Sequence, residues 1–392
     1  MSRPPVDPFR KIPLCVPEIR GNEWPYVKEC LDTNWVSSVG PFVDRFEQAL
    51  ASYLGASHGA ATVNGTAALH VALLAAGIKP DDEVLVSTLT FIASANVIRY
   101  VGAHPVLMDA DPLYWQMDAE KVGEFLSREC QWAKGALRNK ATGRRVRAII
   151  PVHILGHPVE IDPLLEAARK YGLTVIEDAA EGLGARYKNR MVGHLADIAC
   201  LSFNGNKIIT CGGGGAVISD REDWMGLARH LITQAKDHPT EYIHDRIGYN
   251  YRPSNLQAAM GCAQLEQLDA YITKKRRIAK AYRRAFQDIP GLTPMPEAPW
   301  AQSTFWLYTV LVEDAFGLGS RQLMRQLSAA GIETRPLWQP LHLSPPHGHC
   351  QSYHCEAAER LYHHALSLPC SVGLTPDQQA YVIDRVCGLA RP

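Results

Sequence analysis

Between about residues 43 and 235, the hydrophobic positions alternate between short β-branched runs and longer stretches with helical spacing. Apolar residues at intervals of three and four predict helices over residues 43–56 and 67–76. Short apolar runs predict strands over residues 84–88, 105–108, 148–153, 174–176, 198–203 and 216–219. Strands that alternate with helices in this way indicate an α/β layer on a mostly parallel sheet, with ligands bound at the carboxyl ends of the strands.

The pattern changes after about residue 250. A long helical run covers residues 255–285 and leads into a proline-punctuated stretch with a mixed α+β pattern. We therefore predict three parts: an N-terminal segment over residues 1–27, a large α/β domain over residues 28–254, and a smaller C-terminal α+β domain over residues 255–392.

Composition and charge narrow the class of protein. Of the 392 residues, 46% are hydrophobic and 20% are charged, as is typical of folded globular domains. Lysine plus arginine and aspartate plus glutamate number 40 each, so no overall basic field exists to recruit nucleic acid or anionic lipid. No apolar stretch is long enough to cross a bilayer, and the start of the sequence has no hydrophobic signal region. The ten cysteines are scattered, so we expect a cytoplasmic protein with no membrane or nucleic-acid partner.

Two charged residues of the α/β layer are candidates for chemistry. Asp178 ends an apolar strand, where a side chain reaches the ligand crevice of an α/β sheet, although it could equally cap the next element. Lys207 lies between two predicted strands, shortly before the four glycines of residues 212–215. Glycine lets a backbone approach a ligand closely, although these glycines could simply form a flexible turn beside a solvated lysine.

A third candidate is the helix start at residues 64–66, Asn-Gly-Thr. The free amides of a helix N-terminus, with a threonine hydroxyl beside them, can bind an anion, although they could also form an ordinary cap. The chain contains neither a Walker loop nor a G-x-G-x-x-G motif, which disfavours a nicotinamide or ATP enzyme.

Two further clusters allow both a functional and a purely structural interpretation. Residues 134–147 hold six basic side chains and no acid, which is typical of a solvated hairpin but could contact a substrate phosphate. Residues 342–364 are rich in histidine and cysteine, a composition that could bind zinc, but the spacing matches no familiar zinc site. We interpret the second cluster as a polar loop and expect no functional metal.

Taken in order, the segments around these candidates resemble the sugar aminotransferases of the DegT/StrS family. The matching segments are NGTAALHVAL (64–73), DEVLVSTLTFIASANVI (82–98), PVHILGHPVEID (151–162), VIEDAAEGLGA (175–185), LSFNGNKIITCGGGG (201–215) and IGYNYRPSNLQAAMGCAQLE (247–266). The resemblance implies the α/β fold of fold-type-I pyridoxal phosphate enzymes, which is that of aspartate aminotransferase. It also implies a transaminase that moves an amino group from an amino acid to a nucleotide-linked keto sugar.

The resemblance implies pyridoxal 5′-phosphate as the cofactor, with pyridoxamine phosphate as its intermediate form. Lys207 would form the Schiff base with the cofactor aldehyde and then shuttle the proton during transfer. Some relatives replace this lysine with histidine and dehydrate sugars, so its presence here favours transamination. Asp178 would pair with the protonated pyridine nitrogen, because a nearby carboxylate favours the charged form of the ring.

The same resemblance assigns further contacts with the cofactor ring. Phe91 would stack on the ring, although core packing is the ordinary role of such a residue. Glu181 would lie near the phenolic oxygen, at a position where the family more often has glutamine or histidine. Asn204 would also lie at the cofactor, on the side that faces the sugar.

The cofactor phosphate would be bound by residues from three parts of the chain. The helix start contributes Gly65, Thr66 and Ala67, and the end of a strand contributes the hydroxyl of Ser202. Asn250 would reach across from a second subunit. This last assignment implies a homodimer with shared active sites.

The residues assigned to the substrate fall where the family lines the sugar and diphosphate side of its site. They are Trp35, Ser37, His153, Arg252 and His342. Arg252 is the best candidate for binding an anionic group, because its guanidinium can hold a carboxylate or a phosphate in a fork.

The start of the chain and residues 234–252 resemble one branch of the family. That branch aminates UDP-linked 4-keto-6-deoxy-N-acetylhexosamines on the way to bacillosamine or legionaminic acid. We therefore expect L-glutamate as the amino donor and C4 of such a UDP-sugar as the acceptor. A GDP- or dTDP-linked keto sugar is the alternative within the same chemistry. A non-catalytic regulator that keeps the pyridoxal phosphate pocket, or a metal-dependent interaction protein, is an alternative of another class.

Overall fold

The alternating strands and helices of the sequence form one large sheet with helices packed on it. The computed structural model describes residues 11–238 and 240–391, so residues 1–10 of the predicted N-terminal segment lie outside the described residues. The helices are α1 (Glu23–Asp32), α2 (Pro41–Leu54), α3 (Gly65–Ala75), α4 (Ala93–Tyr100), α5 (Ala119–Arg128), α6 (Ile161–Tyr171), α7 (Glu222–Ile232), α8 (Asn255–Leu265), α9 (Leu268–Phe286), α10 (Ser320–Ala329), α11 (Glu356–His364) and α12 (Pro376–Cys387). The strands are β1 (His58–Thr62), β2 (Glu83–Ser87), β3 (His104–Met108), β4 (Cys130–Ala133), β5 (Ala136–Asn139), β6 (Val146–Ile150), β7 (Thr174–Asp178), β8 (Arg186–Tyr187), β9 (Arg190–Met191), β10 (Ile198–Ser202), β11 (Gly215–Ser219), β12 (Leu292–Pro294), β13 (Ala301–Gln302), β14 (Tyr308–Val312), β15 (Ser352–Tyr353) and β16 (Ala365–Leu368).

Within the described residues, the central sheet has eight strands in the order β1-β11-β10-β7-β6-β2-β3-β15. Strand β11 is antiparallel to both of its neighbours, and the other neighbouring pairs are parallel. Strands β2, β7 and β11 are buried along their whole length, as expected when helices cover both faces of a sheet. The predicted mostly parallel α/β sheet is therefore confirmed.

The six predicted strand segments correspond to β2, β3, β6, β7, β10 and β11, with bounds shifted by a few residues. The sequence analysis missed β1, whose sequence is HGAAT. Small residues have low strand propensity, so this segment lacks the β-branched run by which the other strands were recognised. Its position in the sheet is set by pairing with β11 along its whole length.

Helix α3 is apolar on nearly all sides, and this explains its place inside the fold. Its sequence, GTAALHVALLA, buries almost every residue, and the helix packs on β10 and β11. Asn64 caps its start, because the Asn64 Oδ1 atom accepts a hydrogen bond of 2.7 Å from the Ala67 amide. The first turn of α3 therefore follows directly on the carboxyl end of β1.

The sequence predicts one helix over residues 255–285, and this prediction is wrong in one respect. Two helices, α8 and α9, are separated by a break at residues 266–267. The apolar spacing continues through the break, and neither glycine nor proline marks it. The Glu266 carboxylate accepts hydrogen bonds of 2.7 Å from both Asn22 and Tyr26, so the break is stabilised by contacts that are distant in the sequence.

The C-terminal region forms its own antiparallel sheet in the order β12-β14-β16. Its strand β15 instead extends the central sheet beside β3. The segment before α1 also joins this region, since the Ile12 amide donates to the Gly331 carbonyl at 2.8 Å. The division of the chain at residue 255 stays a prediction, and both contacts cross between the proposed parts.

The basic segment of residues 134–147 includes part of the β4–β5 hairpin and leads into β6. The amide of Glu83, the first residue of β2, donates to the Arg145 carbonyl at 2.7 Å. The hairpin therefore lies at the amino ends of β2 and β6. Because Asp178 lies at the carboxyl end of β7, the hairpin is at the opposite edge of the sheet, and its proposed contact with a substrate phosphate gains no support.

None of the helices in the described part of the chain combines the length and the apolar character that crossing a bilayer requires.

Asn255 joins helix α8 to the segment that leads into α2. Its side chain is fully buried, and its Oδ1 atom accepts a 2.9 Å hydrogen bond from the Phe42 amide. Its Nδ2 group donates to the Trp35 carbonyl at 2.9 Å. The Asn255 amide also donates to the Ser37 carbonyl at 2.6 Å. One side chain therefore fixes the start of α2 and the preceding loop at once.

We expect Asn255→Ala to lower the free energy of unfolding by about 2–4 kcal/mol, because it leaves the Phe42 amide and the Trp35 carbonyl without partners at about 1–3 kcal/mol each. Urea denaturation measures the change. The control is Gln287→Ala, an exposed side chain just after α9, for which we expect a change within about 0.5 kcal/mol. Equal midpoints for the two variants would contradict the role assigned to Asn255.

Candidate active site

A cavity of about 370 Å³ opens where the carboxyl ends of the parallel strands meet, a volume within the usual range of small-molecule sites. Strand β7 contributes Asp178, strand β10 contributes Ser202, and the start of α3 follows the end of β1. The cavity brings together eight of the residues predicted from the sequence: Gly65, Thr66, Phe91, Asp178, Glu181, Ser202, Asn204 and Lys207. Parallel strands place their carboxyl ends at one edge of the sheet, which is why these distant residues converge.

Asp178 is a buried carboxylate, with 3% of its surface exposed. Its Oδ2 atom accepts a 2.7 Å hydrogen bond from the Ser94 hydroxyl, and its Oδ1 atom accepts a 3.1 Å hydrogen bond from the Ala180 amide. Burial raises the pKa of Asp178, and the hydrogen bond from Ser94 and the charge of Lys207 oppose this rise. Among the described residues it forms no ion pair, so its cavity side is suited to a cationic group.

Lys207 lies in the connection between β10 and β11, which is closed by short backbone hydrogen bonds. The Phe203 amide donates to the Gly214 carbonyl at 2.8 Å, and the Lys207 amide donates to the Asn204 carbonyl at 3.0 Å. The Lys207 Nζ atom lies 4.0 Å from the centroid of the Trp306 ring. This cation–π contact holds the amine at the cavity wall.

Glu181 lies on the opposite side of the Lys207 amine. Its Oε1 atom is 3.3 Å from the Lys207 Nζ atom, and its Oε2 atom accepts a 2.8 Å hydrogen bond from the Leu155 amide. Burial raises the pKa of Glu181, whereas the charge of Lys207 lowers it. The two groups form an ion pair at the cavity wall.

The first turn of α3 has backbone amides that are not hydrogen-bonded within the described part of the chain. The amides of Gly65 and Thr66 have no acceptor among the described residues, whereas the Ala67 amide is already bound by the Asn64 side chain. The positive end of the helix dipole favours an anion at this point. Of the three residues predicted to bind phosphate here, Ala67 is thus the one whose amide is occupied.

A glycine keeps this helix start in place. A Cβ atom on Gly215, the first residue of β11, would lie 2.5 Å from the carbonyl carbon and oxygen of Asn64. Backbone atoms cannot move aside as a flexible side chain can, so any larger residue would displace the start of α3. The close approach of the two backbones requires glycine at position 215.

Three of the predicted substrate residues lie outside the cavity wall and in other contacts. His153 is fully buried, with its Nδ1 atom accepting a 2.9 Å hydrogen bond from the Val159 amide and its Nε2 atom 3.1 Å from the Glu177 Oε1 atom. The Arg252 Nη2 atom lies 3.1 Å from the Asp44 Oδ1 atom. His342 is bonded to the Thr88 hydroxyl at 2.8 Å. Their placement gives no support to substrate contacts within one chain.

Trp35 and Ser37 lie on the exposed loop before α2, and Asn250 is exposed after the loop that follows α7. None of the three lines the cavity of its own chain. Their predicted roles need a second chain, and those roles stay predictions.

Two histidines of the histidine- and cysteine-rich segment contact carboxylate or amide side chains. The His342 Nε2 atom lies 3.0 Å from the Glu359 Oε1 atom, and the His347 Nε2 atom lies 2.9 Å from the Asn96 Oδ1 atom. Among the described residues, no three histidine, cysteine, aspartate or glutamate side chains are arranged to hold a metal ion. The interpretation of this segment as a metal-dependent interaction site gains no support.

The residues of the cavity fit the cofactor that the sequence resemblance implies. The free amides of Gly65 and Thr66 suit a phosphate, the buried carboxylate of Asp178 suits a protonated ring nitrogen, and the amine of Lys207 suits an aldehyde.

Sequence reasoning missed three residues that complete the site. Ser94, at the start of α4, donates to Asp178, while Trp306 and Trp338 form the apolar part of the wall. Ser94 lies within a matched segment, three residues after Phe91, and this spacing was the available signal. The two tryptophans are distant in sequence and lie outside the matched segments, so no local pattern indicated them.

Known proteins resemble this chain over nearly its whole length. Residues 17–387 match the profile of the DegT/DnrJ/EryC1/StrS aminotransferase family. A relative from Caulobacter vibrioides named GDP-perosamine synthase is 41% identical, with 96% of each chain covered. A protein of the same name from Escherichia coli O157:H7 is 36% identical, with 96% of this chain and 98% of the relative covered.

Solved structures show the same fold. The crystal structure of S. venezuelae DesV is 30% identical and has a TM-score of 0.85, with 95% of each chain covered. The crystal structure of a DegT DnrJ EryC1 StrS aminotransferase from Brucella abortus is 28% identical and also has a TM-score of 0.85, with 95% of this chain and 96% of that chain covered.

The raised pKa of Asp178 predicts how the stability of the cofactor-free chain depends on pH. Because burial raises this pKa in the folded chain, the folded chain binds the proton at a higher pH than the unfolded chain does. Stability therefore falls as the pH rises through the folded-state pKa of Asp178. Asp178→Asn keeps an acceptor for the Ala180 amide but has no charge. We expect the variant to be more stable than wild type near about pH 8 and to lose that advantage as the pH falls.

Urea denaturation of the cofactor-free protein across this pH range measures the difference. Asp288→Asn, which changes an exposed aspartate after α9, is the matched control and should follow the wild-type profile. If Asp178→Asn is less stable than wild type at every pH, the carboxylate is stabilising in its charged form and the electrostatic account is wrong.

Proposed function

Because the chain belongs to the DegT/DnrJ/EryC1/StrS aminotransferase family, we propose that it transfers an amino group from L-glutamate to C4 of a GDP-linked 4-keto-6-deoxy sugar. The enzyme is a pyridoxal phosphate-dependent aminotransferase. The observation that carries the proposed chemistry is that the amine of Lys207 and the buried carboxylate of Asp178 line one cavity, beside the free amides of α3.

The GDP-linked sugar takes the place of the UDP-linked sugar expected from the sequence. Relatives named GDP-perosamine synthase are 41% and 36% identical and cover 96% of this chain. Their names support the alternative that the sequence left open more than they support the UDP branch. The chemistry at C4 is common to both substrates, so the roles of the cavity residues do not change.

Pyridoxal phosphate, when bound, supplies an aldehyde carbon that can take up an amino group and a ring that can accept electrons. The chain supplies the rest. The amides of Gly65 and Thr66 bind an anion at the positive end of α3, and Asp178 orients and stabilises a cationic ring nitrogen. Apolar side chains, Trp306 and Trp338, exclude water from the cavity wall.

Lys207 and Glu181 form the proton-handling part of the proposed site. The Lys207 Nζ atom is the base that takes a proton from the amino donor and returns it during transfer. The Glu181 Oε1 atom, 3.3 Å from this amine, can hold a proton because burial raises its pKa. A neutral Glu181 would also face a phenolic oxygen without repelling it, which accounts for a carboxyl group at a position where the family more often has glutamine or histidine.

We further propose that the active enzyme is a homodimer with shared active sites. Tyr242 is 88% exposed and Ile247 is 83% exposed, and both lie near the exposed Asn250 in one loop region. Large apolar side chains grouped on a surface are typical of a protein–protein interface. A partner subunit seated there would bring Asn250 towards its cavity.

The role of Lys207 predicts a loss of both spectrum and turnover. We expect Lys207→Ala to lack the lysine-dependent absorption band that appears when wild type binds pyridoxal phosphate. We expect its turnover to fall by about a thousandfold or more, because a positioned general base is lost together with the covalent anchor. Ultraviolet–visible spectra before and after addition of L-glutamate, followed by steady-state assays, measure both effects.

The matched control for this experiment is Lys188→Ala, which removes an exposed lysine paired with Asp162. Its spectrum and turnover should match those of wild type. A lysine-dependent band that survives in Lys207→Ala would show that another amine binds the cofactor.

The choice of nucleotide is tested by direct competition. GDP-, UDP- and dTDP-linked 4-keto-6-deoxy sugars are offered to enzyme that has first reacted with L-glutamate. We expect kcat/KM for the GDP-sugar to exceed that for the others by at least about tenfold, equivalent to about 1.4 kcal/mol of selective binding. A preference for the UDP-sugar would contradict this proposal and would favour the UDP-linked acceptor that the sequence resemblance implies. Binding of pyridoxal phosphate without reaction with glutamate or with any of the sugars would instead favour the non-catalytic regulator.

A further inference from the structure

Two cysteines and a lysine form a cluster behind the loop that carries Lys207, and the proposed reaction uses none of them. Cys370 follows β16 and is 1% exposed, and Lys275 lies in α9 and is 2% exposed. Cys15 belongs to the segment before α1 and is partly exposed. The three residues come from distant parts of the sequence, so the fold alone brings them together.

The backbone sets the two cysteines opposite each other. The Cys370 amide donates to the Leu14 carbonyl at 2.8 Å, and the Val16 amide donates to the Ser371 hydroxyl at 3.0 Å. The residues on either side of Cys15 therefore bond to Cys370 and Ser371, and the two cysteine side chains are in contact. Two thiols in contact are the arrangement from which a disulfide bond can form.

Lys275 supplies a charge to this cluster. Its Nζ atom donates to the Cys370 carbonyl at 2.6 Å and lies 3.7 Å from the Cys370 Sγ atom. It forms no ion pair with a carboxylate in the described part of the chain. A buried ammonium group is costly unless an opposite charge lies beside it, and the Cys370 sulfur is the group placed to carry that charge.

The two thiols differ in acidity for the same reason. Contact with the Cys15 side chain, together with the charge of Lys275, lowers the pKa of Cys370 in spite of its burial. The same contact and burial raise the pKa of Cys15. Of the two thiols, Cys370 is therefore the one that ionises more readily.

The cluster borders the active-site cavity. The Cys15 Sγ atom lies 3.5 Å from the Asn206 carbonyl oxygen, which also accepts a 2.7 Å hydrogen bond from the Trp306 indole. Asn206 and Trp306 line the cavity, and the Cys370 Sγ atom lies 3.4 Å from the Trp306 carbonyl oxygen. Asn206 and Trp306 therefore separate the cysteine pair from the cavity and contact both.

We propose that Cys15 and Cys370 are a modification site for hydroperoxides, at which the two thiols are oxidised reversibly to a disulfide. The Cys370 sulfur attacks one oxygen of the hydroperoxide, an S–O bond forms and the O–O bond breaks, and the leaving oxygen takes a proton from solvent. The Cys15 sulfur then attacks the Cys370 sulfur, an S–S bond forms, and the S–O bond breaks. The released hydroxide leaves as water with the Cys15 proton, so the two sulfurs give up the two electrons that reduce the peroxide.

Oxidation would change the surroundings of Lys207. The disulfide removes the negative charge beside Lys275 and the S–H group that donates to the Asn206 carbonyl, one residue before Lys207. The modification itself is detected chemically, so its test does not depend on the identity of the sugar substrate.

The test treats the full-length protein with hydrogen peroxide, blocks the remaining thiols, and maps the unreduced peptides by mass spectrometry. We expect a linked peptide containing Cys15 and Cys370 to form at least about tenfold faster than Cys350 is oxidised, and to disappear with dithiothreitol. Cys350 is the internal reference because it is also partly exposed, while burial raises its pKa and no thiol in the described residues is bonded to it. A protein in which Cys350 reacts first, or in which the linked peptide never forms, would overturn the proposal.

Variants distinguish the effect of the Lys275 charge from the effect of having the two cysteines close together. Lys275→Gln keeps a donor for the Cys370 carbonyl but removes the charge, and we expect about a tenfold slower formation of the linked peptide. Cys350→Ser is the matched control and should leave that rate unchanged. An unchanged rate in Lys275→Gln would overturn the role of the lysine. If this variant does not fold, the pH dependence of linked-peptide formation in the wild-type protein is the test. We expect that rate to stay nearly level from about pH 7 to 8.5. A rise of about tenfold over this range would show that Cys370 reacts as an ordinary thiol and would overturn the proposal.

Discussion

The cavity depends on a carboxylate that is buried with hydrogen-bond donors but without a cation bonded to it. The hydrogen bonds from Ser94 and the Ala180 amide oppose the rise in the pKa of Asp178 that burial causes, and both donors are placed by the elements that follow β2 and β7. These elements converge because the strands run parallel and end at one edge of the sheet. The site is thus less favourable for the empty chain than for a chain that holds a cationic ligand, which is a common consequence of preparing a binding site in advance.

The same edge of the sheet explains why different parts of the site act together. The amine of Lys207 lies between the Glu181 carboxyl group and the Trp306 ring, so its surroundings are partly acidic and partly apolar. The unpaired amides of α3 are held in place because Gly215 lets β11 pass directly against the helix start. The anion-binding amides, the Asp178 carboxylate and the Lys207 amine therefore come from the chain segments at the carboxyl ends of β1, β7 and β10, which lie together at one edge of the sheet.

Much of this could be predicted from the sequence, and the exceptions have physical reasons. Asp178 and Lys207 were identified because a strand end and a glycine-rich connection are local signals. The break between α8 and α9 was missed because tertiary contacts of Glu266 produce it within an unbroken apolar pattern. His153 shows another limit: its place in a matched segment indicated a substrate contact, but the fold buries it, with its Nδ1 atom bonded to the Val159 amide and its Nε2 atom beside Glu177.

The antiparallel direction of β11 has a consequence for how this protein could change over time or be engineered. Since β11 returns beside β10, the connection with Lys207 has no crossover helix, and a shift of β11 by one residue against β10 would turn its alternate side chains to the wrong face. The β4–β5 hairpin lies beside the amino ends of β2 and β6, and its tip at Lys134 and Gly135 does not line the cavity. Insertions such as a fluorescent reporter or a binding peptide are therefore better tolerated at that tip than near the catalytic loop.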